Sequence, residues 1–141
     1  MELVVEANIV FQALIKRGFI LGLIRSLSKT GIKLCSPEFV FDEIKKREER
    51  LLKYSGLTKA EFEFVMKLLF KKIKIVPKSE YSKFLPEALE IFPHHSKDAP
   101  YFALAMASKE LELWSDEKRH KQQSKVKVLS TSDIKKLFGI G

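Results

Sequence analysis

Acidic residues at four places in this 141-residue sequence stand where an ordinary surface acid would not be put, and they could do chemistry together. Glu6 directly follows the apolar run Leu3-Val4-Val5, with no basic residue within three positions to pair it. Glu43 lies between Val40 and Ile44 and four positions after Phe39, so helical spacing turns it toward an apolar stripe. Its neighbour Asp42 has Lys45 and Lys46 at i+3 and i+4 and reads as a surface pair. Asp98 has Tyr101, Phe102 and Ala105 at i+3, i+4 and i+7. That spacing aligns it with a buried face and equally with the positive end of a helix dipole, so a site reading and a dipole reading both fit. Ser115-Asp116-Glu117 follows Leu111–Trp114, which puts two acids at the end of another apolar run.

Carboxylates gathered from distant positions repel one another unless a cation joins them. An all-oxygen set without His or Cys favours Mg²⁺ or Mn²⁺. Such an ion, alone or paired with a second, polarises a phosphodiester, activates a water as nucleophile and stabilises the leaving oxygen. Phosphoryl transfer is therefore the implied chemistry, provided the fold brings the four places to one edge.

The periodicity predicts elements that could do so. Leu3-Val4-Val5 reads as a buried strand, and Asn8 stands where it could cap a helix patterned by Ile9-Val10 and Ala13-Leu14. Gly18 is expected to end that helix, residues 19–28 to form a second, and residues 32–35 a second strand. Ser36-Pro37-Glu38 reads as a cap, a first-turn proline and a dipole acid, opening a helix that runs through Phe39, Val40, Ile44 and Leu51 to Gly56. Thr58 and Glu61 form a capping box, and Ile73-Lys74-Ile75-Val76 alternates as a third strand. Helices are expected over about 79–92 and 97–110, strands over 111–114 and 126–129, and a last helix capped by Thr131 and running through Phe138. There is no repeat and no linker. The alternation predicts one α/β domain over residues 1–141, a three-layer α/β/α sandwich around a mainly parallel sheet of about five strands. Sites in such folds lie at the strands' carboxyl ends.

Composition narrows the partners. A formal charge of +8 and a pI of about 9.5 favour an anionic partner, nucleic acid ahead of acidic lipid. Hydrophobic residues at 45%, including 11 Phe, can fill a core, while 6 Gly and 5 Pro exclude collagen-like or long disordered tracts. The single cysteine, Cys35, excludes an intramolecular disulfide or multi-cysteine metal cluster and reads as a small buried hydrophobe. The longest apolar run near the N-terminus, residues 19–24, falls far short of the roughly 18 residues of a membrane span. No signal peptide or membrane anchor is expected, and the location expected is cytoplasmic. Lysine dominates the basic residues, and Asn and Gln are scarce, which is compatible with growth at high temperature.

Other motifs weigh less. His94-His95 cannot face one way on a regular element, and the pair sits in a proline-flanked loop. Trp114 reads as core. Lys45, Lys46, Arg47, Arg50 and Lys53 alternate with Glu48 and Glu49 as an exposed, ion-paired helix. Lys118, Arg119, Lys121, Lys125 and Lys127 admit two readings: cations that hold phosphates beside the acids, or a solvated loop.

Taken in order, four segments carry a resemblance that spans nearly the whole chain. They are Val4-Val5-Glu6-Ala7-Asn8 with Ala13-Leu14-Ile15; Ser36-Pro37-Glu38-Phe39 leading to Glu43-Ile44; residues 97–105, Lys-Asp-Ala-Pro-Tyr-Phe-Ala-Leu-Ala; and residues 113–118, Leu-Trp-Ser-Asp-Glu-Lys, with Val126-Lys127-Val128 after them. The chain resembles the PIN-domain nucleases, close to archaeal stand-alone members and related to the toxin subunits of VapBC-type pairs. The resemblance implies a cluster of acids that holds Mg²⁺ or Mn²⁺ and cuts single-stranded RNA, and a homodimer. It makes Glu6 the first-strand acid, Glu43 the helix acid, Asp98 the third and Glu117 the fourth, because the last motif reads Ser or Thr, any residue, acid. Ser115 matches its supporting hydroxyl and Asn8 the amide that follows the first acid. Asp116, between Ser115 and Glu117, is an alternative fourth ligand, and Lys118, Arg119, Lys121 and Lys125 are placed to hold the strand.

Two positions depart from that family's pattern, because the first and fourth acids are usually aspartate and are glutamate here. One methylene moves a carboxylate by about 1.5 Å, and Mg²⁺ requires near-octahedral geometry. The departure implies activity that is weakened, shifted toward Mn²⁺ or lost. Beside the endoribonuclease stand two alternatives: a catalytically silent RNA-binding module, and a toxin subunit governed by an antitoxin-type protein.

Overall fold

Five short strands form one sheet in the computed structural model, which describes residues 1–139: β1 (Glu2–Val5), β2 (Lys33–Pro37), β3 (Ile73–Val76), β4 (Leu111–Trp114) and β5 (Val128–Leu129). Their order is β3-β2-β1-β4-β5, and every neighbouring pair is parallel. Parallel strands are covered on both faces, which is why Leu3, Val4 and Val5 form an unbroken apolar run and are all fully buried.

Helices α1 (Ala7–Ile15) and α2 (Arg17–Lys29) link β1 to β2, and α3 (Phe39–Lys46), α4 (Glu48–Ser55) and α5 (Lys59–Lys72) link β2 to β3. The chain then crosses back over β2 and β1 through α6 (Leu85–Ile91) and α7 (Ala99–Met106) to reach β4, and α8 (Thr131–Leu137) follows β5. Right-handed crossovers in opposite directions put these helix sets on opposite faces. α7 packs on β1, β2 and β4, as that crossing requires. The result is the three-layer α/β/α arrangement, with the strand order reversing beside β1. Between the carboxyl ends of β1 and β4 lies the crevice that such a reversal opens.

Several boundaries differ from the sequence expectation. α1 begins at Ala7, and its cap is Glu6, whose carboxylate accepts the Asn8 backbone N–H at 3.1 Å, so Asn8 is not the cap. α1 and α2 part at Lys16, two residues before Gly18. Ser36 and Pro37 extend β2 rather than opening a helix: the Ser36 hydroxyl donates to the Val5 carbonyl at 3.0 Å, and Pro37 lies beyond the pairing with β1, which ends at Cys35. The helix expected over 38–56 is broken at Arg47 (φ −108°, ψ 12°) into α3 and α4. Short 3-10 turns at Lys78–Glu80, Ser82–Phe84 and Ser96–Asp98 replace the starts of the next two helices. The cap of α8 is Ser130, reciprocated by Asp133, which leaves Thr131 free for other bonds. The Thr58–Glu61 capping box is present as read. Cys35 and Trp114 are core residues, and burial pushes the Cys35 thiol up to about 12. Among the described residues, no single helix is long and apolar enough to cross a membrane.

Candidate metal centre at the carboxyl edge of the sheet

β1 and β4 run side by side, so the residues that follow them emerge together. The Glu6 backbone N–H continues the ladder onto the Trp114 carbonyl at 3.1 Å, and the Ser115 N–H continues it onto Leu129 at 3.0 Å. From α3 comes Glu43, and from the turn before α7 comes Asp98. These elements bring Glu6, Glu43 and Asp98 into one cleft of about 280 Å³, lined also by Asn8, Lys97, Arg119 and His120, with His94 and His95 at its mouth. The three acids are only 5%, 5% and 9% exposed. Glu117 lines the adjoining groove, with Asp116, rather than this cleft, and is joined to it by an ion pair with Arg119, its Oε1 lying 3.3 Å from Nη1.

Each carboxylate meets a different environment. Among the described residues Glu6 accepts only the Asn8 N–H, and burial, reinforced by the charges of Glu43, Asp98 and Glu117, pushes its carboxyl up to about 8 against that one hydrogen bond. Glu43 accepts the Tyr101 hydroxyl at 2.5 Å and faces Arg47 at 3.7 Å. Burial still raises it above the ordinary carboxylate range, although Tyr101, Arg47 and Lys97 oppose the shift. Burial and Glu43 raise the Tyr101 phenol in turn, so that hydroxyl is a fixed donor.

Burial also works against an ionised Asp98, but His120 and Arg119 outweigh it and hold the carboxyl below its ordinary value. Arg119 makes a forked contact, Nε to Oδ2 at 3.2 Å and Nη2 to Oδ1 and Oδ2 at 3.2 and 2.9 Å. His120, 1% exposed, brings Nε2 to 3.0 Å from Asp98 Oδ2 without hydrogen-bond alignment, while Nδ1 lies 2.7 Å from the Ser115 hydroxyl. Ser115 Oγ also accepts the Glu117 backbone N–H at 3.1 Å, so one hydroxyl ties His120 to the start of the Glu117 segment.

Asp116 turns away from the cleft. Its two oxygens accept the Thr131 backbone N–H at 2.6 Å and the Thr131 hydroxyl at 2.7 Å, tying the end of β4 to α8. Thr131 Oγ1 in turn accepts the Trp114 indole N–H at 3.0 Å. Of the lysines and arginines of the basic stretch, Arg119 alone pairs with Asp98 and Glu117 among the described residues. Lys121 pairs with Asp133, Lys125 with Glu87 at 2.7 Å, and Lys127 with Glu112 at 3.7 Å, while Lys118 forms no ion pair among the described residues. Exposed pairs such as Lys121–Asp133 and Lys125–Glu87 contribute little to stability.

Three contributors escape a reading of the sequence. Arg47 reads as part of a surface helix, although it is i+4 from Glu43, a spacing that could have paired them. Tyr101 reads only as apolar face. His120 stands in a run of lysine and glutamine that carries no sign of its burial.

The sequence matches the profile of the PIN domain over residues 4–134. The chain belongs to the PIN-domain family. A search of curated proteins finds no match. In structure this PIN domain is similar to a chain in the crystal structure of VapBC2 from Rickettsia felis bound to a DNA fragment from their promoter. The TM-score is 0.68 at 14% identity, over 92% of this chain and 98% of that one. At that identity the likeness concerns the fold.

The donors of this PIN domain suit a divalent cation. All are oxygens, and Glu6 is an acid raised by burial and, to a lesser degree, by other acids, with no cation paired to it among the described residues. As the side chains stand, however, no three His, Cys, Asp or Glu groups among the described residues are arranged to hold a metal ion. Arg119 lies on two of the oxygen-bearing groups instead.

Proposed function

We propose that this PIN domain is a divalent-metal-dependent endoribonuclease, acting in the cytosol as a homodimer on phosphodiester bonds of single-stranded RNA. One observation carries the reading: three buried carboxylates from separate elements share a cleft at the β1/β4 edge, and Glu6 among them is pushed up to about 8. Glu6, Glu43, Asp98 and Glu117 are the ligands for Mg²⁺ or Mn²⁺. When bound, that ion supplies Lewis-acid polarisation of the phosphodiester and neutralises developing negative charge.

The remaining work belongs to the chain. The Asn8 N–H fixes Glu6, Tyr101 and Arg47 fix Glu43, and the Ser115–His120 pair orients the Asp98 side and the start of the Glu117 segment. Lys97 and Arg119 line the cleft where an anionic backbone would enter, and Lys118, Lys121 and Lys125 flank Arg119 along the chain.

The test is cleavage of a labelled, unstructured RNA with Mn²⁺, Mg²⁺ or EDTA. Asp98→Asn is expected to abolish metal-dependent cutting while circular dichroism stays unchanged; equal cutting by variant and parent removes Asp98 from the site.

A second reading makes the chain the toxin subunit of a toxin–antitoxin pair. It is supported by the fold shared with a chain of the VapBC2 complex and by a groove of about 490 Å³ beside the cleft, floored by Phe11, Ile15, Leu51 and Tyr54. Its test is whether the product of an adjacent small reading frame binds this chain and suppresses cutting.

A further inference from the structure

The charge in the cleft is balanced unevenly. Glu6 has no cationic partner among the described residues, and Glu43 has Arg47 at 3.7 Å, with the Arg47 guanidinium set over the Phe11 ring, 5.4 Å from its centroid. On the other side Arg119 presents a fork to Asp98 and its remaining nitrogen to Glu117, so one guanidinium spans two of the four acids. Its side chain is 29% exposed, which leaves it a path toward solvent.

From this geometry we infer that Arg119 is a resident competitor of the divalent ion: it occupies the Asp98 and Glu117 oxygens that the ion requires and must leave them as the site loads. The inference rests on reading the cleft as a metal centre. Arginine suits such a role because it stays charged at all working pH values, so it is removed by displacement rather than by deprotonation. Its planar fork matches a carboxylate, and the same fork matches a phosphate. Displaced, Arg119 is still tethered at the cleft wall, where its next partner is the anionic RNA backbone. The competition lowers the apparent affinity for the ion by the strength of the bonds that Arg119 must give up. For charge-assisted bonds at a partly exposed site, that factor is about tenfold.

The experiment is a Mn²⁺ titration without RNA, followed by loss of the free-ion electron paramagnetic resonance signal, on the full chain, Arg119→Gln and Arg119→Lys. Arg119→Gln is expected to bind Mn²⁺ about tenfold more tightly than the parent. Arg119→Lys, which keeps the charge and loses the fork, should fall between them. In EDTA the glutamine variant should melt a few degrees lower, and Mn²⁺ should restore more of its melting temperature than it adds to the parent.

A parent that binds Mn²⁺ while both variants bind equally or more weakly overturns the inference and leaves the metal centre standing. No binding by any of the three overturns both. If Arg119→Gln fails to fold by circular dichroism, Arg119→Lys decides alone, and binding no tighter than the parent's rejects the competitor role.

Discussion

The two glutamates at the sheet edge are held differently, which bears on what one methylene does at each. Glu6 is pinned by its capping bond to the Asn8 N–H. The Glu117 carboxylate is at the cleft rim, pairs with Arg119 and is about one-third exposed. Aspartate is a good N-cap and would keep the bond at position 6 while drawing the carboxylate toward the β1 backbone. A displacement of about 1 Å in a reacting geometry can cost on the order of a hundredfold. The double variant Glu6→Asp, Glu117→Asp is therefore expected to raise Mg²⁺-supported kcat/KM for RNA by about tenfold or more, and to raise the Mn²⁺ value less. No gain with Mg²⁺ would mean that the longer acids are competent ligands as they stand. Tyr101, Arg47 and His120 belong to the same scale. Each is visible as a residue type, but their roles depend on which side chain lies opposite, and the linear spacing carries that only for Arg47.

At the scale of elements, the link from β4 to α8 separates the two neighbouring acids. Asp116 binds both polar groups that Thr131 offers at the start of α8, and Thr131 accepts the indole N–H of the buried Trp114. Asp116 thus sets the position of α8 and of the strand end from which Glu117 projects. Asp116→Ala removes two hydrogen bonds at an exposed position, worth about 1–2 kcal/mol. A fall in melting temperature of about 4 °C is expected, with Mn²⁺ affinity close to the parent's in the same titration. A loss of affinity as large as that of Glu117→Ala would make Asp116 a ligand. The break at Arg47 also acts at this scale. It ends α3 four residues after Glu43 and lets α4 turn away, with Arg47 packed over Phe11 beside the cleft.

For the whole molecule, a strongly basic chain encloses an acidic cleft, and this couples stability to pH. Glu6 titrates near 4.5 in an unfolded chain and is pushed up to about 8 when folded. The folded state therefore binds its proton more tightly, and the associated stability is full below pH 4.5 and lost as pH rises through about 8. Glu43 is raised and adds in the same sense, whereas Asp98 is lowered and its contribution is lost only at the acidic end. In EDTA, urea unfolding should show stability falling by a few kcal/mol between about pH 5 and 8.5. Glu6→Gln should flatten most of that slope, and Mn²⁺ should flatten it in the parent. A parent with pH-independent stability over this range would mean that Glu6 ionises without penalty.

Much of this was determined locally. The apolar run Leu3-Val4-Val5 marked β1, the alternation Ile73-Lys74-Ile75-Val76 marked β3, the run Leu111–Trp114 marked β4 and the Thr58–Glu61 box marked α5, while the lack of a basic neighbour marked Glu6 and a place on an apolar stripe marked Glu43, because those signals depend on near neighbours alone. Ser36-Pro37-Glu38 misled for the same reason. Its residues suit a helix start, but the Val5 carbonyl across the sheet claims the Ser36 hydroxyl. Which acids face one another, that Asp116 holds Thr131 while Glu117 meets Arg119, and that Arg119 also sits on Asp98 were decided by tertiary structure. They depend on β1 lying beside β4, a pairing more than a hundred residues apart in the chain, which hydrophobic burial of the whole sheet selects and no local pattern encodes.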